Sequence, residues 1–372
     1  MKRVSIFPPW EPWLENRLFT DAEGCIYTSS FRRWRELASA QGYQLDTCDI
    51  CPPSEADLVW FMDLPRSKHA FEEVRRSVRK GTPLLLQILE SPLLFPAAFV
   101  EENRKAFDAV VSYEFSADEG RCFYYRLPLE TEPRYEGLPF GARKPAVMVN
   151  TNRVEGWLAT RKLGLTGLPG MGAYFSGWKL PPWHFLQPAR GELYSWRRRC
   201  AHAAEAVPGR LEVMGSGWNG ERISWCPGLF SRRYSNYRPA DPVPHGTAAS
   251  ADKRARLGNY RFVIATENYR GNFGYISEKI FDAMLGGSVP VYLGERSITA
   301  HVPPEAFVDA RRCGSVCDLW RHLESFSEEH WQRVRKAGQE YLRSARFQPF
   351  TSEAFAQRMM EILAKVSGSS VG

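Results

Sequence analysis

The sequence predicts an α/β chain built from two doubly wound units, each a parallel sheet clad in helices, and three observations carry that expectation. Short apolar runs rich in Val, Ile and Leu alternate with amphipathic helical patterns, which is how buried parallel strands and their crossovers read. Residues 260 to 293 hold one whole strand, loop, helix, strand unit. Residues 128 to 145, LPLETEPRYEGLPFGARK, are rich in Pro, Gly and charge and read as a linker between units.

At 372 residues the chain is long enough for two cores. The expected division is 1–140 for an acceptor-side unit and 146–345 for a nucleotide-binding unit. Residues 346–372 then form a C-terminal helix and flexible tail that packs back on the first unit. A hydrophobic share of 44% and a charged share of 24% are globular values, so disorder is not the default. The formal charge of +7 suits an anionic ligand. Nucleic acid and membrane surfaces also attract such a charge, but Lys and Arg are interleaved with Asp and Glu, so no basic tail stands out. No run approaches the ~20 apolar residues that span a bilayer. The opening MKRVSIFPPWEPW has no apolar leader region, so a cytoplasmic protein with its cysteines as thiols is expected. Cys48 with Cys51 and Cys313 with Cys317 are the one combination that suggests a thiolate zinc site, and they lack the turn-rich setting of zinc modules. No metal is expected.

Taken in order, residues 2–7 read as a strand leading into Pro8-Pro9-Trp10-Glu11-Pro12-Trp13, a stiff aromatic loop. Trp10 and Trp13 are sugar-stacking candidates on the acceptor side and equally candidates for simple packing. Ser30 is placed to cap a helix with Phe31, Trp34 and Leu37 inward, followed by strands at 43–47 and 58–62, a helix over 70–79, and strands at 84–89 and 109–113. At the end of the strand over 84–89 stands Glu90-Ser91-Pro92, where a carboxylate is either a turn former or, at the carboxyl end of an α/β strand, in the chemical position. Residues 146–149 start the second unit. Residues 164–195, rich in Gly, Pro and Trp, read as a surface excursion and a lid near the acceptor, tolerant of shortening. A helix from about Trp196 carries Arg197, Arg198 and Arg199, a strand covers 211–214, and the final helix has Phe355, Met359, Ile362 and Leu363 on one stripe.

The densest chemistry lies in residues 259–294, NYRFVIATENYRGNFGYISEKIFDAMLGGSVPVYLG. The run 260–265 suits a buried strand, and the loop with Asn268, Gly271, Asn272 and Gly274 lets main-chain amides approach a ligand. Ser277 is placed to cap a helix that Gly286-Gly287 ends. Glu278 and Lys279 fall in its first turn, where a lysine suits a phosphate and a carboxylate suits ribose hydroxyls, although a solvated Glu-Lys pair gives the same pattern.

Glu267, Asn268, Tyr275, Glu278, Lys279, Pro290 and Gly294 together resemble the donor-site signature of the α1,3/4-fucosyltransferases. Thr266 and Tyr269 depart from that pattern, where Phe and Ser are usual. Glu90-Ser91-Pro92 resembles the "[FL]ESP" element of the same family, and residues 106–128 resemble a further segment of it. The resemblance implies a GT-B fold, two Rossmann-like domains facing a cleft, and an inverting enzyme that moves L-fucose from GDP-fucose to a glycan hydroxyl without a metal. The linkage implied is α1,3 or α1,4 on an acceptor containing N-acetylglucosamine. It implies Glu90 as catalytic base. It also implies donor contacts from Arg199, with Arg198 next, and from Glu267, Asn268, Tyr275, Glu278 and Lys279. The resemblance is to the soluble bacterial members, with at most peripheral membrane contact. A GT-B transferase using another nucleotide sugar is the nearest alternative, and a basic nucleic-acid-binding protein the more distant one.

Overall fold

The computed structural model describes residues 1–20, 27–65, 67–114, 120–151, 177–180, 191–215, 218, 247–271 and 274–368. Most of the 164–195 excursion, and Asn272, lie outside them. In the first half, β1 (Lys2–Phe7), β2 (Tyr43–Thr47), β3 (Leu58–Met62), β4 (Leu84–Gln87), β5 (Ala109–Ser112) and β6 (Cys122–Tyr124) form a parallel sheet in the order β2-β1-β3-β4-β5-β6. Its described helices are α1 (Thr28–Ala40), α2 (Lys68–Ser77) and the short α3 (Glu101–Arg104). The run LVWFM of β3 is buried at every position, as a central strand covered on both faces must be.

The second sheet joins β7 (Lys144–Val149), β8 (Glu212–Met214), β9 (Tyr260–Thr266), β10 (Val289–Leu293) and β11 (Val308–Asp309) in the order β11-β10-β9-β7-β8, again parallel. Around it lie α4 (Tyr194–Ala204), α5 (Thr247–Leu257), α6 (Glu278–Leu285), α7 (Ile298–His301), α8 (Val316–Glu324) and α9 (Glu328–Arg343). Counted from its own first strand, each sheet runs second, first, third, fourth, fifth. Each therefore reverses direction between its first and third strands, and open α/β sheets bind ligands at the carboxyl ends beside that point. Around the first reversal stand the aromatic loop after β1 and Asp63 after β3, with Glu90 after β4 one strand further on. At the second stand Asn150 after β7 and Glu267-Asn268 after β9.

The chain returns to the first sheet in α10 (Ser352–Gly368), whose Phe355, Met359, Ile362 and Leu363 join the core formed by Phe31, Trp34 and the β-strands. Phe31 and Phe355 meet edge to face at 5.3 Å. This contact corrects the expected start of α1: the helix begins at Thr28, after Tyr27, and Ser30 is buried inside it with its hydroxyl donating to Ser352 Oγ at 2.8 Å. The serine that local reading makes a cap is spent on a distant helix. Leu129 N donates to Phe350 O at 3.0 Å, so the two chain crossings run side by side.

One described piece of the excursion, residues 177–180, also differs from expectation. Trp178 is buried against Phe71 and Phe107 of the first unit, with its Nε1 donating to Pro65 O at 2.9 Å. At this point the segment belongs to the first sheet's core and is not a surface strap. Of the described helices, none is long and apolar enough to cross a membrane.

Candidate functional site

The loop between β9 and α6 is organised by Glu267, which is 0% exposed. Its Oε1 accepts from Ser277 N at 2.8 Å, its Oε2 accepts from Ser277 Oγ at 2.6 Å, and Lys279 Nζ lies 3.6 Å away. Ser277 precedes α6 in an extended conformation but gives its hydroxyl to Glu267 instead of capping the helix. Burial pushes the Glu267 carboxyl up, against Lys279 and Ser277, which hold it down. A Cβ on Gly294 would collide with this side chain, so glycine at the end of β10 is a packing requirement. Glu267 thus braces the loop from inside and has no surface to offer a ligand.

Glu278 and Lys279 open the first turn of α6 with side chains 18% and 17% exposed. Lys279 Nζ donates to Ser277 Oγ at 3.0 Å and lies 3.4 Å from Glu278 Oε1, which Lys253 of α5 approaches at 3.9 Å. Burial alone would raise the Glu278 carboxyl, but Lys279 and Lys253 outweigh it and hold the group down at about 2. Glu278 is therefore an ionised acceptor and Lys279 a cation at a helix amino end. That pairing suits hydroxyls and a phosphate respectively.

Of the three consecutive arginines in α4, the structure singles out Arg197. It is 2% exposed and stacked on Tyr194. It donates to Thr266 Oγ1, Thr266 O, Glu267 O and Asn268 Oδ1 at 2.7 to 3.0 Å. It closes the carbonyl end of β9, and Asn268 is held by it. Arg199, favoured from the sequence, is exposed and lies two positions round the helix on the opposite side from Arg197, so the structure does not bring it to this loop. Arg198 is half-buried between them. Helical phase could have separated the three, had the partner face been known.

Glu90 is half-buried at the carboxyl end of the first sheet. Its carbonyl accepts from Tyr113 Oη at 2.8 Å. Tyr275, buried, packs its ring 5.2 Å from that of Tyr113 and so joins the two units. Burial, then Glu90 and Glu267, push the Tyr275 phenol well up. Tyr113 thus links Glu90, at the carboxyl end of the first sheet, to Tyr275 of the segment between β9 and α6. Of the aromatic loop, Trp13 is in the core at 5% exposure and Trp10 is open at 43%. The cysteine pairs belong to different sheets, Cys48 and Cys51 beyond β2 and Cys313 and Cys317 around the start of α8, and burial pushes the Cys48 thiol up to about 11.

The family model for glycosyltransferase family 10 (fucosyltransferase), C-terminal region, matches residues 242–337. An alpha-(1,4)-fucosyltransferase of Arabidopsis thaliana is 33% identical over 90 residues, 22% of this chain and 22% of the relative. The alpha-(1,3)-fucosyltransferase FucT of Helicobacter pylori is 36% identical over 77 residues, 20% of this chain and 16% of that one. The chain thus matches less than a quarter of the length of these relatives. Across 98% of this chain, an alpha-glucosyltransferase in complex with UDP superposes over 100% of its length with a TM-score of 0.55 at 10% identity, a likeness of fold alone. That fold is GT-B, and residues 242–337, which carry Glu267, Asn268, Tyr275, Glu278 and Lys279, are similar to the C-terminal region of the glycosyltransferase family 10 fucosyltransferases.

Proposed function

We propose that the chain is an inverting fucosyltransferase that moves L-fucose from GDP-fucose to a hydroxyl of a glycan, in α1,3 or α1,4 linkage to an acceptor containing N-acetylglucosamine. The observation that carries the reading is the Tyr113–Tyr275 contact, in which the residue that holds the Glu90 carbonyl packs on the segment between β9 and α6. On this reading Glu90 takes the acceptor proton as the acceptor oxygen attacks the anomeric carbon from the side opposite the leaving diphosphate. Lys279, with Arg198, the half-buried arginine next to Arg197 in α4, neutralises charge developing on that diphosphate, and ionised Glu278 accepts from the ribose hydroxyls. Arg197 and Glu267 keep the loop in shape. Trp10 is the exposed acceptor-side aromatic.

The same proposal divides the chain into 1–140 on the acceptor side, 146–345 on the donor side and 346–372 returning to the first unit, which the α10–α1 packing supports. It has the enzyme cytoplasmic and of bacterial type, which fractionation of the native host tests. Calorimetry against GDP-fucose, GDP-mannose and UDP-glucose tests the donor: GDP-fucose is expected to bind, and Lys279→Ala to weaken GDP by about 1.5 to 3 kcal/mol. Preference for a uridine nucleotide would move the chain to another GT-B transferase.

A further inference from the structure

Asp63, the first residue beyond β3, takes a left-handed backbone with φ of +60°. That conformation costs a residue other than glycine about 1 kcal/mol or more, and asparagine and aspartate bear it best because their side chains bond locally. Its N–H donates to Gln87 O at 2.6 Å. Its side chain then reaches across so that one oxygen, Oδ1, accepts from Leu89 N at 2.8 Å and from Glu90 N at 3.2 Å. From the other side, Tyr125 Oη donates to Ile88 O at 2.6 Å and Tyr113 Oη to Glu90 O at 2.8 Å. The peptides from 88 to 90 are thus held largely by side chains from the ends of β3, β5 and β6, which is why β4 ends at Gln87 and not at Leu89 as the apolar run suggests.

Asp63 is 2% exposed, and its second oxygen has no partner among the described residues. The titratable groups that face it are the Glu90 carboxylate and the Tyr113 and Tyr125 phenols. A buried carboxyl in a strained backbone, beside another acid, is an expensive arrangement for a turn that a glycine and a few ladder bonds would close. The expense has one visible product: the position of Glu90.

We propose that Asp63 is the positioning residue of the Glu90 turn, its single oxygen fixing the Leu89 and Glu90 amides and hence the place from which the Glu90 carboxylate acts. This rests on the reading of Glu90 as the base. Glycine accepts the left-handed backbone but removes the clamp, while asparagine keeps an oxygen in the same place, so the two substitutions separate the clamp from the fold.

Turnover of GDP-fucose with a glycan acceptor, and GDP affinity, are measured for Asp63→Gly, Asp63→Asn, Glu90→Gln and the double variant Asp63→Gly with Glu90→Gln. Asp63→Gly is expected to lower kcat roughly 10²-fold, the effect of misplacing a reacting group by about 1 Å, with GDP affinity unchanged. Asp63→Asn is expected to restore kcat to within about threefold. Glu90→Gln alone is expected to lose roughly 10²- to 10⁴-fold, and the double variant to be no slower than it. Near-normal kcat in Asp63→Gly, no rescue by Asp63→Asn, or full additivity in the double variant would overturn the clamp while leaving Glu90 as the base. Near-normal kcat in Glu90→Gln would overturn the base reading, and this proposal with it.

Discussion

At the scale of single residues, burial and charge decide more than residue type. Glu267 and Glu278 stand eleven positions apart in one loop and helix, yet one is sealed against Ser277 and the other is an ionised group held down at about 2. Asp63 shows the opposite case. Burial, then the charge of Glu90, push its carboxyl up to about 8, against the two amides that hold it down. The folded chain therefore binds this proton more tightly than the unfolded one, whose aspartate titrates near about 4. The resulting stability is complete below the unfolded value and lost as pH rises through the folded one. Asp63→Asn, which does not titrate, should gain stability relative to the parent as pH is raised from about 4 to about 9, as read by urea midpoints across that range. A difference between the two proteins that stays flat with pH would show that Asp63 is ionised in the fold. Serine at 30 was legible as a candidate cap from its neighbours and glutamate at 90 as a candidate base from the family resemblance, but the cap was displaced by a helix more than three hundred residues away in the chain, Ser352 taking its hydroxyl.

At the scale of elements, α6 depends on a pairing that its own sequence does not contain. Asp282 of α6 is 2% exposed and accepts from Arg254 Nε at 2.7 Å, while Lys253 Nζ approaches its other oxygen at 2.7 Å. Arg254, also 2% exposed, donates in addition to Glu130 O and Glu132 O, so the linker, α5 and α6 are joined by one guanidinium. Gly287, with φ of +76°, lets the linker pass, since a Cβ there would meet Glu136 O at 2.5 Å. Asp282→Asn should cost about 3 to 5 kcal/mol in urea unfolding, the usual loss when one partner of a buried pair is neutralised. A loss below about 1 kcal/mol would mean that Lys253 and Arg254 find other acceptors. The strand, loop, helix, strand unit around α6 was readable from apolar periodicity and from the Gly286-Gly287 stop. Its link to α5 was not, because ion pairs between helices leave no period in the sequence.

At the scale of the whole molecule, two parallel sheets share the same order of strands and meet where Tyr113, after β5, packs on Tyr275, after β9, and two further segments contribute to the first sheet's core. One is α10, whose apolar stripe covers the first sheet. The other is the excursion after β7, which returns Trp178 to the first unit between Phe71 and Phe107. Trp178→Ala should therefore cost about 3 to 5 kcal/mol of stability, measured by thermal or urea unfolding, as expected for a large ring removed from a core. An unchanged midpoint would return the segment to the surface role its composition suggests. The sequence by itself determined the alternation of strands and helices, the two-unit plan, and the cluster from Glu267 to Lys279, because these rest on local periodicity and on residues close in the chain. Only the tertiary structure decided that Arg197 and not Arg199 lies against the β9 loop, that Glu267 is internal, that Ser30 serves α10, and that Asp63 holds Glu90. Each of these is a hydrogen bond or a burial between residues far apart in sequence. Whether a polar group is spent on the fold or left for a ligand depends on which partners the packing brings to it.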